Sequence, residues 1–296
     1  MNKDILVIYH ANCDDGMGAA LAAYMKFGDT AEYVSAQYGK PIPNLEGKDV
    51  YIFDFSYPKE ILLDTSLNAK SITMLDHHKT AIESWGMELY ADITRNILIR
   101  FDMKKSGAML AWDYFFPDTI PPMIIQHVQD SDLWLFHMPD TKVFIRNLRS
   151  YPQEIHNWVG IMELTADPDD YETFIQEGKA QERFFNAQIK TILTSSKVIP
   201  IHIGGIEGDA INASVTFSNE MAEEMAKKNG SFGIVYSLEE GMVRCSVRSL
   251  KGGVDVSQLC QLYGGGGHQS SAGMRISIKT FLEEILCSKI QVLCQE

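Results

Sequence analysis

Ile5-Leu6-Val7-Ile8-Tyr9-His10-Ala11-Asn12-Cys13-Asp14-Asp15-Gly16 is the stretch whose reading decides how the chain folds. Its first five residues are apolar without interruption, the pattern of a strand buried on both faces. Residues 16–27, rich in Ala, Leu and Met, then read as a helix that stops near Gly28. The unit recurs further along. Residues 50–53 read as a second strand, followed by a helix that Pro58 opens and that reaches Leu67. Residues 71–75 read as a third strand. Short strands alternating with helices predict an α/β domain with a parallel sheet covered on both faces.

Outward from this core, residues 106–116 and 123–128 have helical patterns, with Pro117, Pro121 and Pro122 marking the gap between them. A long polar-rich helix is expected over residues 167–197. Beyond it the pattern turns β-rich, with strands at 198–203, 209–214, 232–238 and 242–248 and helices at 219–228, 256–263 and 279–292. That is a smaller α+β domain. With 296 residues the chain exceeds what one core comfortably serves. The expected division is a domain over 1–165, a helical connector over 166–197 and a second domain over 198–296.

The charge excludes some functions. Against 26 Lys and Arg stand 39 Asp and Glu, a net charge of -13. Binding to long duplex nucleic acid needs clustered cations, so it is not expected; a small anionic ligand is compatible if cations gather locally. The five cysteines (Cys13, Cys245, Cys260, Cys287 and Cys294) form an odd set without a C-x-x-C pair, which argues against a disulfide framework or structural zinc and for reduced thiols. No apolar stretch approaches the ~20 residues of a membrane helix, and the short segment after Met1 lacks the apolar region of a secretion signal. The expectation is a cytoplasmic protein without membrane contact. Its oligomeric state is left open, an oligomer included.

Polar residues with metal-binding and acid–base chemistry sit where the first-half strands end. His10 follows the first strand, with Asp14 and Asp15 in the turn behind it. Asp54 follows the second, and Asp76, His77 and His78 follow the third. An open parallel sheet binds ligands outside the carboxyl ends of its strands, so three strands deliver these groups to one edge. Carboxylates mixed with imidazoles suit Mn2+, Mg2+ or Zn2+, and the harder ions are favoured where cysteine ligands are missing. Asp130, at the end of an apolar helical segment, adds a further carboxylate. The number of candidates suggests two ions that activate a water and stabilise a leaving oxygen.

These residues also carry a resemblance. Leu75-Asp76-His77-His78-Lys79 resembles the signature of the DHH phosphoesterase family, and Tyr9 to Gly16 resembles that family's first motif in its His-x-x-Cys-x-Asp-Gly variant. Asp54 matches the second motif and Asp130 the fourth. In the second half, Ser246-Val247-Arg248-Ser249, Val254-Asp255-Val256-Ser257, Tyr263-Gly264-Gly265-Gly266-Gly267-His268 and Ser271-Ala272-Gly273 are similar to the DHH-associated C-terminal domain. The resemblance implies two divalent ions, Mn2+ first and Mg2+ as the alternative, with Asp54 as the bridge. It implies His10, Asp14 or Asp15, His77 and Asp130 as ligands, Asp76 as the carboxylate that orients an imidazole, and His78 as the group that meets the substrate phosphate.

The second half is read as a module that holds substrate. Gly265, Gly266 and Gly267 could bring backbone N–H groups to a phosphate, and Arg248 and His268 could supply charge. The bland alternative for the glycines is a turn. Trp112 and Trp134 are expected in packing, with Tyr263 undecided. The function expected is hydrolysis of short oligonucleotides or linear dinucleotides to mononucleotides. The alternatives are a phosphomonoesterase on 3′-phosphoadenosine 5′-phosphate, a polyphosphate hydrolase, or a nucleotide-binding regulator without catalysis.

Overall fold

Strand β1 (Ile5–His10) sends Leu6 and Ile8 into one core and Val7 into another, as a strand covered on both faces must. The computed structural model describes residues 3–86, 89–92 and 96–286. It divides into two units, Met1–Arg183 and Phe184–Glu296. In the first unit β1 leads into α1 (Asp14–Phe27), β2 (Ala31–Ala36), β3 (Asp49–Phe53), α2 (Lys59–Thr65), β4 (Ser71–Asp76), α3 (Lys79–Trp85), β5 (Leu89–Asp92) and β6 (Ile97–Phe101). The sheet order is β2-β1-β3-β4-β6-β5. Five strands run parallel, and β5 joins β6 antiparallel at the edge.

Five helices complete the first unit's chain path: α4 (Gly107–Phe115), α5 (Met123–Asp132), α6 (Thr141–Leu148), α7 (Ile155–Leu164) and the opening of α8 (Pro168–Ser195). Val7, Phe53 and Leu75 from the sheet pack with Leu21, Ala108, Ile125, Phe144 and Trp158 from these helices and α1. On the opposite face Ile8, Ile52 and Met74 pack with Leu62 of α2 and Trp85 at the end of α3. The alternation is period two: Ile52 serves one core, Phe53 the other. Trp112 is buried, in line with a packing role.

The second unit holds the remainder of α8, then β7 (Ile199–Ile203), β8 (Ile206–Asn212), α9 (Ser218–Asn229), β9 (Phe232–Glu239), β10 (Met242–Ser249), α10 (Val256–Gln261), β11 (Gly266–His268) and β12 (Ser271–Ser277). Its sheet order is β11-β12-β10-β9-β8-β7. Only β8 and β9 pair parallel, so this sheet is mixed. Phe185 and Ile189 of α8 join Met221, Met225 and Val235 in one of its cores. The expected helix at 279–292 appears as short helical turns over Ile278–Thr280 and Phe281–Leu286, and its remainder lies outside the described residues. Cys245 and Cys260 are buried free thiols and Cys13 is a half-buried one. Cys287 and Cys294 lie outside the described residues. Among the described residues, no helix is long and apolar enough to cross a membrane.

Candidate metal centre

The carboxyl ends of β1, β3 and β4 converge, and each delivers its polar residue at the point where pairing stops. Asp54 leaves β3 with φ of 54°, a left-handed backbone that a non-glycine residue adopts at a cost. Its N–H still donates to Leu75 O of β4 at 3.0 Å, which fixes the kink in place. The kinked residue's carboxylate is buried at 1% exposure. His10 Nδ1 lies 3.4 Å from Asp54 Oδ2, and His77 Nε2 lies 3.1 Å from Asp54 Oδ1.

Asp15 enters from the first turn of α1. Its Oδ2 accepts from Gly107 N at 2.5 Å and its Oδ1 from Ala108 N at 2.9 Å, so the N-terminus of α4 fixes this carboxylate. His77 Nε2 is 3.3 Å from Asp15 Oδ2. Two glycines make the approach feasible. A Cβ on Gly16 would strike the His10 carbonyl, and one on Gly107 would strike the Asp54 side chain and backbone. Asp132, the last residue of α5, brings a third carboxylate, with Oδ2 3.6 Å from His77 Nε2. Asp15, His77 and Asp132 have ligand-type atoms mutually within 4.8 Å, as do Asp54, Asp76, His77 and His78.

Electrostatics show how strongly this cluster demands positive charge. Burial raises Asp15's pKa, with the Asp54 charge adding to it against His77 and the Ala108 N–H. Loss of solvent contact and the charge of Asp15 push Asp132 up to about 7, against His77. Burial would likewise raise Asp54, but His10, His77 and His78 hold it well below the usual carboxylate range. Burial would lower His77, yet Asp132, Asp15 and Asp54 raise it well above the ordinary imidazole value. Asp54 Oδ2, Asp132 Oδ2 and His10 Nδ1 are buried without a hydrogen-bond partner. Ionised oxygens so placed are costly unless a cation meets them, and the donor set of carboxylates and imidazoles fits a divalent ion.

Asp76 orients His78 rather than His77. Its Oδ1 lies 2.7 Å from His78 Nδ1, while its carboxylate also accepts from His77 N at 2.7 Å and Ser56 Oγ at 2.5 Å. Burial would raise Asp76, but the charge and hydrogen bond of His78 bring it down to about 2. His78 is raised by Asp76 despite its burial.

Two expected ligands lie elsewhere. Asp14 points away from the cluster, with its carboxylate 2.6 Å from Arg149 Nε and 3.2 Å from Gln153 Nε2. Adjacent helical residues diverge by about 100°, so Asp15 facing the cluster turns Asp14 outward. Asp130 is likewise engaged away from His77. Its oxygens accept from His137 N at 2.8 Å, Met138 N at 3.1 Å and Thr141 Oγ1 at 2.5 Å, so it fastens the loop after α5. Asp132, missed by the sequence reading, is the α5 aspartate that stands beside His77 and Asp15. Gly107 was missed as well; the Ser106-Gly107-Ala108 helix start, with Ser106 Oγ accepting from Met109 N, was the available signal.

In the second unit Arg248 Nη1 donates to Val247 O at 2.8 Å and Ala272 O at 3.4 Å, and Nη2 to Asn219 Oδ1 at 2.5 Å. The glycine run does not form the expected nest at its start. Gly264 N and Gly265 N donate to Gln261 O and Cys260 O, and Gly266, Gly267 and His268 form β11 against β12. The N–H of Gly265 is therefore committed to a turn.

No family model matches the chain. It is 28% identical over 309 residues to the uncharacterized protein R106 of Acanthamoeba polyphaga mimivirus, covering 93% of this chain and 69% of that protein. It is 21% identical over 306 residues to the oligoribonuclease NrnB of Bacillus subtilis, covering 93% of this chain and 73% of that protein. An exopolyphosphatase-related protein from Bacteroides fragilis shares the fold with a TM-score of 0.51 at 16% identity, over 99% of this chain and 94% of that one.

Proposed function

We propose that the chain is a divalent-cation-dependent phosphoesterase of the DHH type that hydrolyses short oligonucleotides or linear dinucleotides to mononucleotides. One observation carries the reading: two buried carboxylates, Asp15 and Asp54, and the partly exposed Asp132 surround His77 at the carboxyl edge of a parallel sheet, with the buried oxygens Asp54 Oδ2 and Asp132 Oδ2 lacking a hydrogen-bond partner. The likeness to a protein named as an oligoribonuclease supports the substrate class.

His10, Asp15, Asp54, His77 and Asp132 would hold the cations, Mn2+ first and Mg2+ as the alternative. Bound there, divalent ions would supply Lewis-acid activation of water and neutralisation of phosphate charge. The chain's own residues have separable tasks. The α4 N-terminus keeps the Asp15 carboxylate from rotating. The kinked Asp54 backbone aims both of its oxygens into the cluster. Asp76 fixes His78 through Nδ1, which makes Nε2 the nitrogen able to donate to a substrate oxygen. Asp76 raises the pKa of His78 against the effect of burial, so the contact that aims the ring also favours its donor form. In the same reading the second unit holds substrate through Arg248 and His268, with Gly266 and Gly267 on its edge strand beside them in sequence.

The test is product analysis with Mn2+ on end-labelled oligonucleotides from the dinucleotide upward, beside 3′-phosphoadenosine 5′-phosphate and polyphosphate. Mononucleotides from the shortest substrates, with little turnover of long strands, are expected. Release of phosphate from polyphosphate alone would replace this reading by a second one, polyphosphate hydrolysis, to which the exopolyphosphatase-related structure points. No turnover of any substrate would leave a nucleotide-binding regulator.

A further inference from the structure

We propose that Cys13 contributes its sulfur to the cation site, so that one position of the site prefers a thiophilic divalent ion; this rests on the metal-dependent reading above. Cys245 and Cys260 are fully buried in a core of the second unit, where a thiol behaves as a small hydrophobe. Cys13 is instead half-buried and belongs to no core cluster. It occupies the N-cap position of α1, where Ser, Thr, Asp or Asn would offer an oxygen, and its sulfur faces the Gly16 N–H without closing a full capping bond.

The sulfur has neighbours suited to a metal. Cys13, His10 and Asp54 offer ligand atoms all within 4.8 Å of one another. Two of those partners independently point to a missing cation: His10 Nδ1 and Asp54 Oδ2 are buried without a hydrogen-bond partner, and Asp54 is 1% exposed. An imidazole, a thiolate and a carboxylate carry two negative charges together, matched to one divalent ion. A coordinating thiol gives up its proton outright. One soft sulfur in an otherwise hard oxygen and nitrogen set raises the preference for Cd2+, Zn2+ and Co2+ over Mn2+ and Mg2+. The neighbouring group of Asp15, His77 and Asp132 has no sulfur and keeps the hard preference.

Cd2+ titrated into the metal-free full chain tests this directly, read by thiolate-to-cadmium absorption in the ultraviolet, with Mn2+ binding measured in parallel. The wild type should develop the band as the first equivalent binds. Cys13→Ser should lose it, with Cd2+ affinity falling by at least the roughly 10–100-fold that even losing a ligand's supporting partner costs. Mn2+ affinity should change far less. Cys13→Asp, which restores a charged hard ligand, should bind Mn2+ and give no band, and circular dichroism checks that both variants fold. An equal band in wild type and Cys13→Ser, with Mn2+ still bound, would overturn the assignment of Cys13 alone. Failure of the wild type to bind either ion would overturn both this proposal and the metal-dependent reading beneath it.

Discussion

Asp54 bears two costs at once, a left-handed backbone and a buried charge. Strain of that kind persists where function over-determines it. Asp54→Asn keeps the shape and removes the charge; metal affinity and turnover should both collapse, seen by calorimetry and dinucleotide hydrolysis. The two α5 aspartates should separate cleanly. Asp132→Asn should empty the site of metal while leaving the fold intact. Asp130→Ala should leave metal binding in place but strand three donors, His137 N, Met138 N and the Thr141 hydroxyl, at a cost on the order of 3 kcal/mol in urea denaturation. Reversed outcomes would return Asp130 to the ligand set. Asp14→Asn should cost no more than about 1 kcal/mol, as an outward ion pair with Arg149 does, and should leave metal binding unchanged.

At the scale of elements, α5 is held by a directed chain of hydrogen bonds. Thr141 Oγ1 donates to Asp130, so it accepts from His127 Nδ1, and His127 Nε2 accepts from the Tyr171 hydroxyl at 2.9 Å. The ring, stacked on Phe144, is neutral, and its burial brings its pKa down to about 4. Between pH ~6.5 and ~4 the unfolded chain binds a proton that the folded ring refuses, so stability is complete above ~6.5 and is lost as pH falls, by about 3 kcal/mol in all. His127→Gln should flatten that part of the pH dependence in chemical denaturation; an unchanged slope would place the acid sensitivity elsewhere. Gly107→Ala should drive a methyl into Asp54 and disturb metal binding without unfolding the chain. The same elements show what the sequence could reveal. The ends of β1, β3 and β4 were readable because uninterrupted apolar runs stop at Asp or His. Edge strand β2 was not, since Glu32 and Ser35 break its apolar pattern, and β6 is interrupted by Arg100. Residues 130 and 132 differ by about 200° around a helix, so only one faces the site. The choice needed α5 continued to Asp132, and the apolar pattern stops at Val128.

For the whole molecule, a net charge of -13 sets the affinity for long polyanions. Duplex DNA should show no measurable binding at physiological salt, and any weak binding at low salt should depend little on length. The glycine run of the second half was legible as a motif, but its role was not. Four glycines permit a nest or a turn equally, and only the pairing of β11 with β12 decides which N–H groups are spent. The central claim is that the cluster of Asp15, Asp54, His77 and Asp132 binds divalent cations and thereby hydrolyses phosphate esters. It is tested most directly by Mn2+-dependent hydrolysis of a linear dinucleotide by wild type and Asp132→Asn side by side. Turnover by the wild type that chelator abolishes and Mn2+ restores, with the variant inactive at any Mn2+ concentration near the wild-type requirement, is the predicted result. Equal turnover by the two proteins would contradict the account.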